Sequence, residues 1–160
     1  MNQKNLAKYL QFITIGIAVL GILIYFGIVP VVGNAILEKI ENQYQYSYYA
    51  WLILIWISGI PCYVSLFHFW NISKEIEKDH SFSGENAIRL KKISQWFILD
   101  VLYFFVGNIV FLLFGMNNLS IFGVSLFVDF VGMVVSILAA ALSHLVYKAA
   151  AIEEENKLTI

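Results

Sequence analysis

The sequence predicts an all-α integral membrane protein, a four-helix bundle with both termini in the cytoplasm. Three observations predict it. Of its 160 residues 60% are hydrophobic and only 13% charged, whereas soluble domains carry about 25% charged residues. Four apolar stretches each reach the roughly 20 residues that a helix needs to cross a hydrocarbon core of about 30 Å. Nine of the 10 basic residues, finally, fall on one side of those stretches.

The whole chain, 1–160, reads as a single membrane domain. Its first span is Phe12–Val32, behind the short basic segment Met1–Lys8. That run exceeds a secretory signal core of about 7–15 residues and no small-residue cleavage pattern follows, so it is expected to be a retained anchor. Pro30 falls near its end, where a lost hydrogen bond costs little. Span 2, Tyr49–Trp70, contains Pro61, which should kink it and free carbonyls one turn back. Span 3 is Ile93–Phe114 and holds Asp100; span 4 is Ile121–Tyr147 and holds Asp129.

Orientation follows from charge. Lys4 and Lys8 precede span 1; Lys74, Lys78, Arg89, Lys91 and Lys92 separate spans 2 and 3; Lys148 and Lys157 follow span 4. Lys39 alone is opposite, so the nine are assigned to the cytoplasm of a bacterial cell membrane. The outer face is then the loop Gly33–Tyr48 and the turn Met116–Ser120. The loop carries Glu38, Lys39 and Glu41, followed by Tyr44, Tyr46, Tyr48, Tyr49 and Trp51. Two readings of these aromatics stand: an interfacial belt, or a receptor surface for a peptide or lipid.

Residues 71–92 form the cytoplasmic loop. Span 2 can continue as helix through Ile72 and Ile76, and His80–Gly84 should break it. Ser83 is the expected N-cap of the next helix, with Glu85 in its first turn. A helical hairpin is thus predicted between spans 2 and 3, where its Lys and Arg residues anchor at anionic headgroups or dock a partner. The tail, 148–160, sets Ile152, Leu158 and Ile160 among Glu153, Glu154, Glu155 and Asn156.

Ionisable groups inside a span cost about 2.5–3.5 kcal/mol and are functional hypotheses by default. A hairpin of spans 3 and 4 symmetric about Asn118 puts Asp129 level with Gly107 and Asn108, and Asp100 level with Ser136. The two acids would then differ in depth by about 10 Å, too far for a paired dyad. Asp129 shares a helix face with Gly132, Ser136 and Ala140, a small-residue row that lets helices approach closely. It is expected beside Asn108, either as a packing lock or as a proton or cation site.

His68, His80 and His144 stand in no metal-binding pattern, and no nucleophile elbow or phosphate loop occurs. No cofactor, metal or catalytic residue is therefore expected, and an enzyme is not. The lone Cys62 cannot form an intramolecular disulfide. A net charge of −1 argues against nucleic acid as a direct ligand.

Two segments carry a family resemblance: FSGENAIRLKKI, Phe82–Ile93, and ALSHLVYKAAAIEEENKLTI, Ala141–Ile160. Both resemble the bacterial family catalogued as domain of unknown function 2975. Its members are four-span proteins of about this length, with an F-S-x-E-N-x-x-R-L-like motif between spans 2 and 3 and an E-E-N-D-L-T-I-like tail. Lys157 departs from that pattern, standing where Asp is expected. The family has no established activity. Its members are often encoded beside a helix-turn-helix regulator of the Xre type, which implies, by association, a membrane partner for a DNA-binding protein.

The reading that follows is a regulatory membrane protein. Its partner would be held by Phe82, Ser83, Glu85, Asn86, Arg89, Lys91, Lys92, Glu153, Glu154, Glu155, Asn156, Leu158 and Ile160. The tail could instead fold back on the cluster Arg89–Lys92. The alternative is a small transporter, channel or immunity protein with Asp129 and Asn108 near its path. A packing subunit or homo-oligomer, joined through the small-residue face of span 4, is the third.

Overall fold

The computed structural model describes residues 3–37 and 45–158. Glu38, Lys39, Glu41, Tyr44 and Ile160 lie outside them. Every regular element among the described residues is helical, and four helices are long and apolar enough to cross a membrane. Span 1 is an α-helix over Gln3–Ile22, a π-helical turn over Leu23–Ile28 and an α-helix over Val29–Leu37. Span 2 is Gln45–Glu77, span 3 Gly84–Leu113 and span 4 Leu119–Leu158.

Pro30 is not at the end of span 1 but inside it, and the π turn is the local answer. Val29 donates its N–H to Ile24 O, one residue further back than in an α-helix. In that register Tyr25 O would take the N–H of residue 30, and proline has none. Trp56 of span 2 supplies the missing donor, with its indole N–H 3.0 Å from Tyr25 O. Two further aromatics of span 2 reach across in the same way, Tyr63 to Ala18 O at 2.8 Å and Tyr48 to Pro30 O at 3.2 Å. Tyr48 and Trp51 also serve structure at the far end: Trp51 donates to Met116 O at 3.2 Å and packs edge-on against Phe111. Span 2 itself continues through Pro61 as one helix.

Both turns at the ends of spans 2 and 3 close by the same motif. At the first, His80 N bonds Glu75 O and Asp79 N bonds Ile76 O, around Asp79 at φ 69°. At the second, Met116 N bonds Phe111 O and Gly115 N bonds Leu112 O, around Gly115 at φ 68°. A residue in the left-handed region ends each helix and satisfies its last carbonyls. Ser83 then caps span 3 as expected, accepting from Asn86 N at 3.2 Å. Asn118 caps span 4 by accepting from Ile121 N at 2.9 Å.

The spans pack in chain order, span 1 on span 2, span 2 on span 3 and span 3 on span 4. A buried cluster of Ile72, Ile93 and Ala139 ties the last three together near the 78–83 turn. The start of span 1 is at that same end, where Ser81 donates to the Gln3 side chain at 3.0 Å. So is the later part of span 4, where Ser143 donates to Ala87 O at 2.7 Å.

The register of spans 3 and 4 differs from the symmetric expectation. Ser136 sits against Ser94, with its hydroxyl 2.9 Å from Ser94 O, and not against Asp100. This displaces span 4 along span 3 by up to six residues, about 9 Å at 1.5 Å per residue, and by three where Gly132 meets Val101. The turn is the reason: span 3 already ends at Leu113, while Asn118 belongs to the cap of span 4. The buried stripe of span 4 runs through Ser125, Asp129, Ser136 and Ala139, so Ala140 drops out of it and is exposed.

Gly132 lets spans 3 and 4 approach. A Cβ there would lie 2.8 Å from Val101 Cγ2, and the buried, β-branched Val101 has little rotamer freedom to yield. Overpacking costs about 1–3 kcal/mol, against about 1 kcal/mol that alanine gains in helix propensity. Gly132→Ala is therefore expected to lose up to about 2 kcal/mol in detergent unfolding; higher stability would refute the close approach.

Span 4 is 40 residues long, about 60 Å at 1.5 Å per residue and twice a hydrocarbon core of about 30 Å. The tail expected as a separate segment from Lys148 is its uninterrupted continuation. Lys148–Leu158 contains no Gly or Pro and is rich in Ala, Glu and Lys, all strong helix formers.

Candidate functional site

Two groups of residues carry chemistry beyond packing. The first is at the end that holds the 78–83 turn. There the family-like motif is largely used up in building the turn. Asn86 is 1% exposed and donates from its side chain to His80 O at 3.1 Å and Ser81 O at 3.2 Å. Ser83 is the cap. Arg89 donates to Asn71 O at 3.0 Å and pairs with Glu85, one helical turn away. Ser83, Asn86 and Arg89, all expected at a partner contact, thus bond the protein's own backbone, and Glu85 bonds Arg89.

What this end presents outward is different. Phe82, in the turn itself, is 57% exposed, and Lys91 and Lys92 are exposed on span 3. Ile152, Glu153, Glu154, Glu155 and Asn156 are exposed on the extension of span 4, whose last described helical residue is Leu158. The sequence shows these residues, and the absence of a helix breaker after Tyr147 is the signal that they continue the helix of span 4.

The second group lies between the spans, around a cavity that opens on the surface of span 4. A cavity of about 330 Å³ is lined by residues of all four spans. Tyr25 enters from the π turn of span 1, and Ser58 and Cys62 from span 2. Asp100 and Phe104 come from span 3, Phe127 and Asp129 from span 4. The Tyr25 ring packs over Gly59, where a Cβ would lie in ordinary van der Waals contact at 3.4 Å.

The register shift is what brings the two acids to one cavity. Asp100 adjoins Val101 and Asp129 is one turn from Gly132, the two residues in contact between the helices. The expected difference in depth is thus reduced, although no hydrogen bond joins the carboxylates among the described residues. Cys62 Sγ lies 4.0 Å from Asp100 Oδ2. The other oxygen, Asp100 Oδ1, and Asp129 Oδ2 are buried without a hydrogen-bond partner among the described residues. No basic residue lines the cavity.

Asn108 spends its side chain on partners other than Asp129. It is 1% exposed, donates to Phe104 O at 2.9 Å and accepts from Asn117 at 3.2 Å, so it ties span 3 to the 114–118 turn. Ser136 is likewise spent on Ser94. Among the described residues no three His, Cys, Asp or Glu side chains are grouped to hold a metal ion. The cavity can hold a positive charge or a proton between carboxylates, within walls that are otherwise mostly apolar.

Comparison with known proteins agrees with this architecture. The family described as "Protein of unknown function (DUF2975)" matches residues 32–160. An uncharacterized membrane protein of Bacillus subtilis (strain 168), YoaS, is 29% identical over 153 residues, covering 94% of each chain. No solved structure matches.

Proposed function

We propose that this chain, a member of the DUF2975 family of membrane proteins, is a bacterial inner-membrane regulatory protein that docks a cytoplasmic partner. The observation that carries this reading is the helical extension of span 4. It holds Glu153, Glu154 and Glu155 with Ile152 on a continuous helix longer than the bilayer thickness. An acidic helical surface with an apolar anchor suits a basic protein, and DNA-binding proteins are basic. The helix-turn-helix class implied by the family resemblance meets that requirement. The positive-inside rule puts this end in the cytoplasm, where such a partner resides.

The test is a crosslinking pull-down from native membranes with three forms of the chain. These are the wild type, a truncation before Ile152, and the triple variant Glu153→Lys, Glu154→Lys, Glu155→Lys. The wild type is expected to recover a small helix-turn-helix protein, and both altered forms to lose it. Equal recovery by all three would remove the tail from the contact and sink this reading. A second reading, cation transport, has the four-span cavity as its observation. Its test is flux in liposomes that disappears in Asp129→Asn.

A further inference from the structure

The geometry points to a binding site for a small organic ammonium ion in the cavity where the four spans meet. The inference stands apart from the docking reading and names the ligand class that the second reading leaves open. The cavity, about 330 Å³, is at the lower end of the roughly 300–1,000 Å³ of small-molecule sites. It therefore suits a compact ligand.

Charge decides the sign of that ligand. Asp100 and Asp129 both line the cavity, which has no Lys, Arg or His in its wall. Asp129 is only 7% exposed, and one oxygen of each carboxylate is buried without a hydrogen-bond partner among the described residues. Leaving such groups unsatisfied costs free energy, and a cation seated between them removes the deficit on two helices at once.

The walls decide the kind of cation. Calcium requires about six to eight oxygen ligands, and apart from the carboxylates the lining side chains offer only the hydroxyls of Ser58 and Tyr25. Transition metals lack a three-ligand group among the described residues. Tyr25, Phe97, Phe104 and Phe127 instead supply aromatic surface, whose π faces attract weakly hydrated ammonium groups. An organic cation can also arrive from the bilayer. Spans 1 and 4 both line the cavity yet do not pack on each other along their lengths, and Phe127 and Val131 at its edge are exposed on the outer surface of span 4.

Isothermal titration of the full chain in detergent micelles with benzyltrimethylammonium chloride tests this. The wild type should give a saturable one-to-one isotherm. Asp129→Asn and Asp100→Asn should each weaken it by about tenfold or more, the effect of about 1.4 kcal/mol. Val135→Trp fills the cavity from its wall while leaving both carboxylates in place, and should abolish binding. Absence of a saturable isotherm in the wild type overturns the proposal. So does wild-type affinity in the variants. Should the Asn variants aggregate on gel filtration, the wild type and Val135→Trp decide the matter.

Discussion

Asn86→Ala is expected to destabilise the protein by about 2–4 kcal/mol, through two lost hydrogen bonds and the void left behind. Asn86 is 1% exposed, and its amide holds the carbonyls of both His80 and Ser81. Those residues are the non-helical link between spans 2 and 3, so the loss falls where the chain must reverse direction in a few residues. Asn86→Leu separates the two causes. It fills the void and removes both donors without adding a charge, and should retain most of the loss if the hydrogen bonds dominate. Unfolding in mixed micelles, followed by circular dichroism, measures both variants. A shift in either within about 0.5 kcal/mol, the ordinary range for inert surface changes, would mean that the motif serves something other than the turn.

The second large effect has the opposite sign. Asp129→Leu is expected to stabilise the bundle by about 1–3 kcal/mol, the cost of leaving a buried polar group without a hydrogen-bond partner. Asp129 Oδ2 has no hydrogen-bond partner among the described residues, and the adjoining cavity of about 330 Å³ can receive the leucine side chain. The same variant should lose benzyltrimethylammonium binding. A gain in stability with a loss of binding is the pattern of a site held at a cost to the fold. A loss of stability of similar size would make Asp129 a packing lock, the other role its helix face suggests.

The functional consequence of the register is concrete. Two carboxylates at different depths would each be a separate packing problem. Lining one cavity, they belong to a single polar site that spans 3 and 4 share, with Tyr25 and Cys62 completing its wall from spans 1 and 2. The π turn contributes to this too. It arises from Pro30 and Trp56, and it is the segment from which Tyr25 reaches the cavity.

The sequence by itself determined the four spans, because apolar length is a local quantity that a bilayer reads almost one residue at a time. It determined the break after span 2 and the Ser83 cap for the same reason, since turn and cap chemistry act within a few residues. Membership of the family was legible in Phe82–Ile93 and in the tail. What only the tertiary structure decided was relational. The placement of Asp100 against Asp129 depends on where the 114–118 turn ends one helix and starts the next, and a few residues there move a span by up to about 9 Å. Whether Asn86 and Arg89 face a partner or their own chain depends on which carbonyls the folded turn brings within reach. A local pattern says what a residue can do, but only the packing of distant segments supplies the group it does it with.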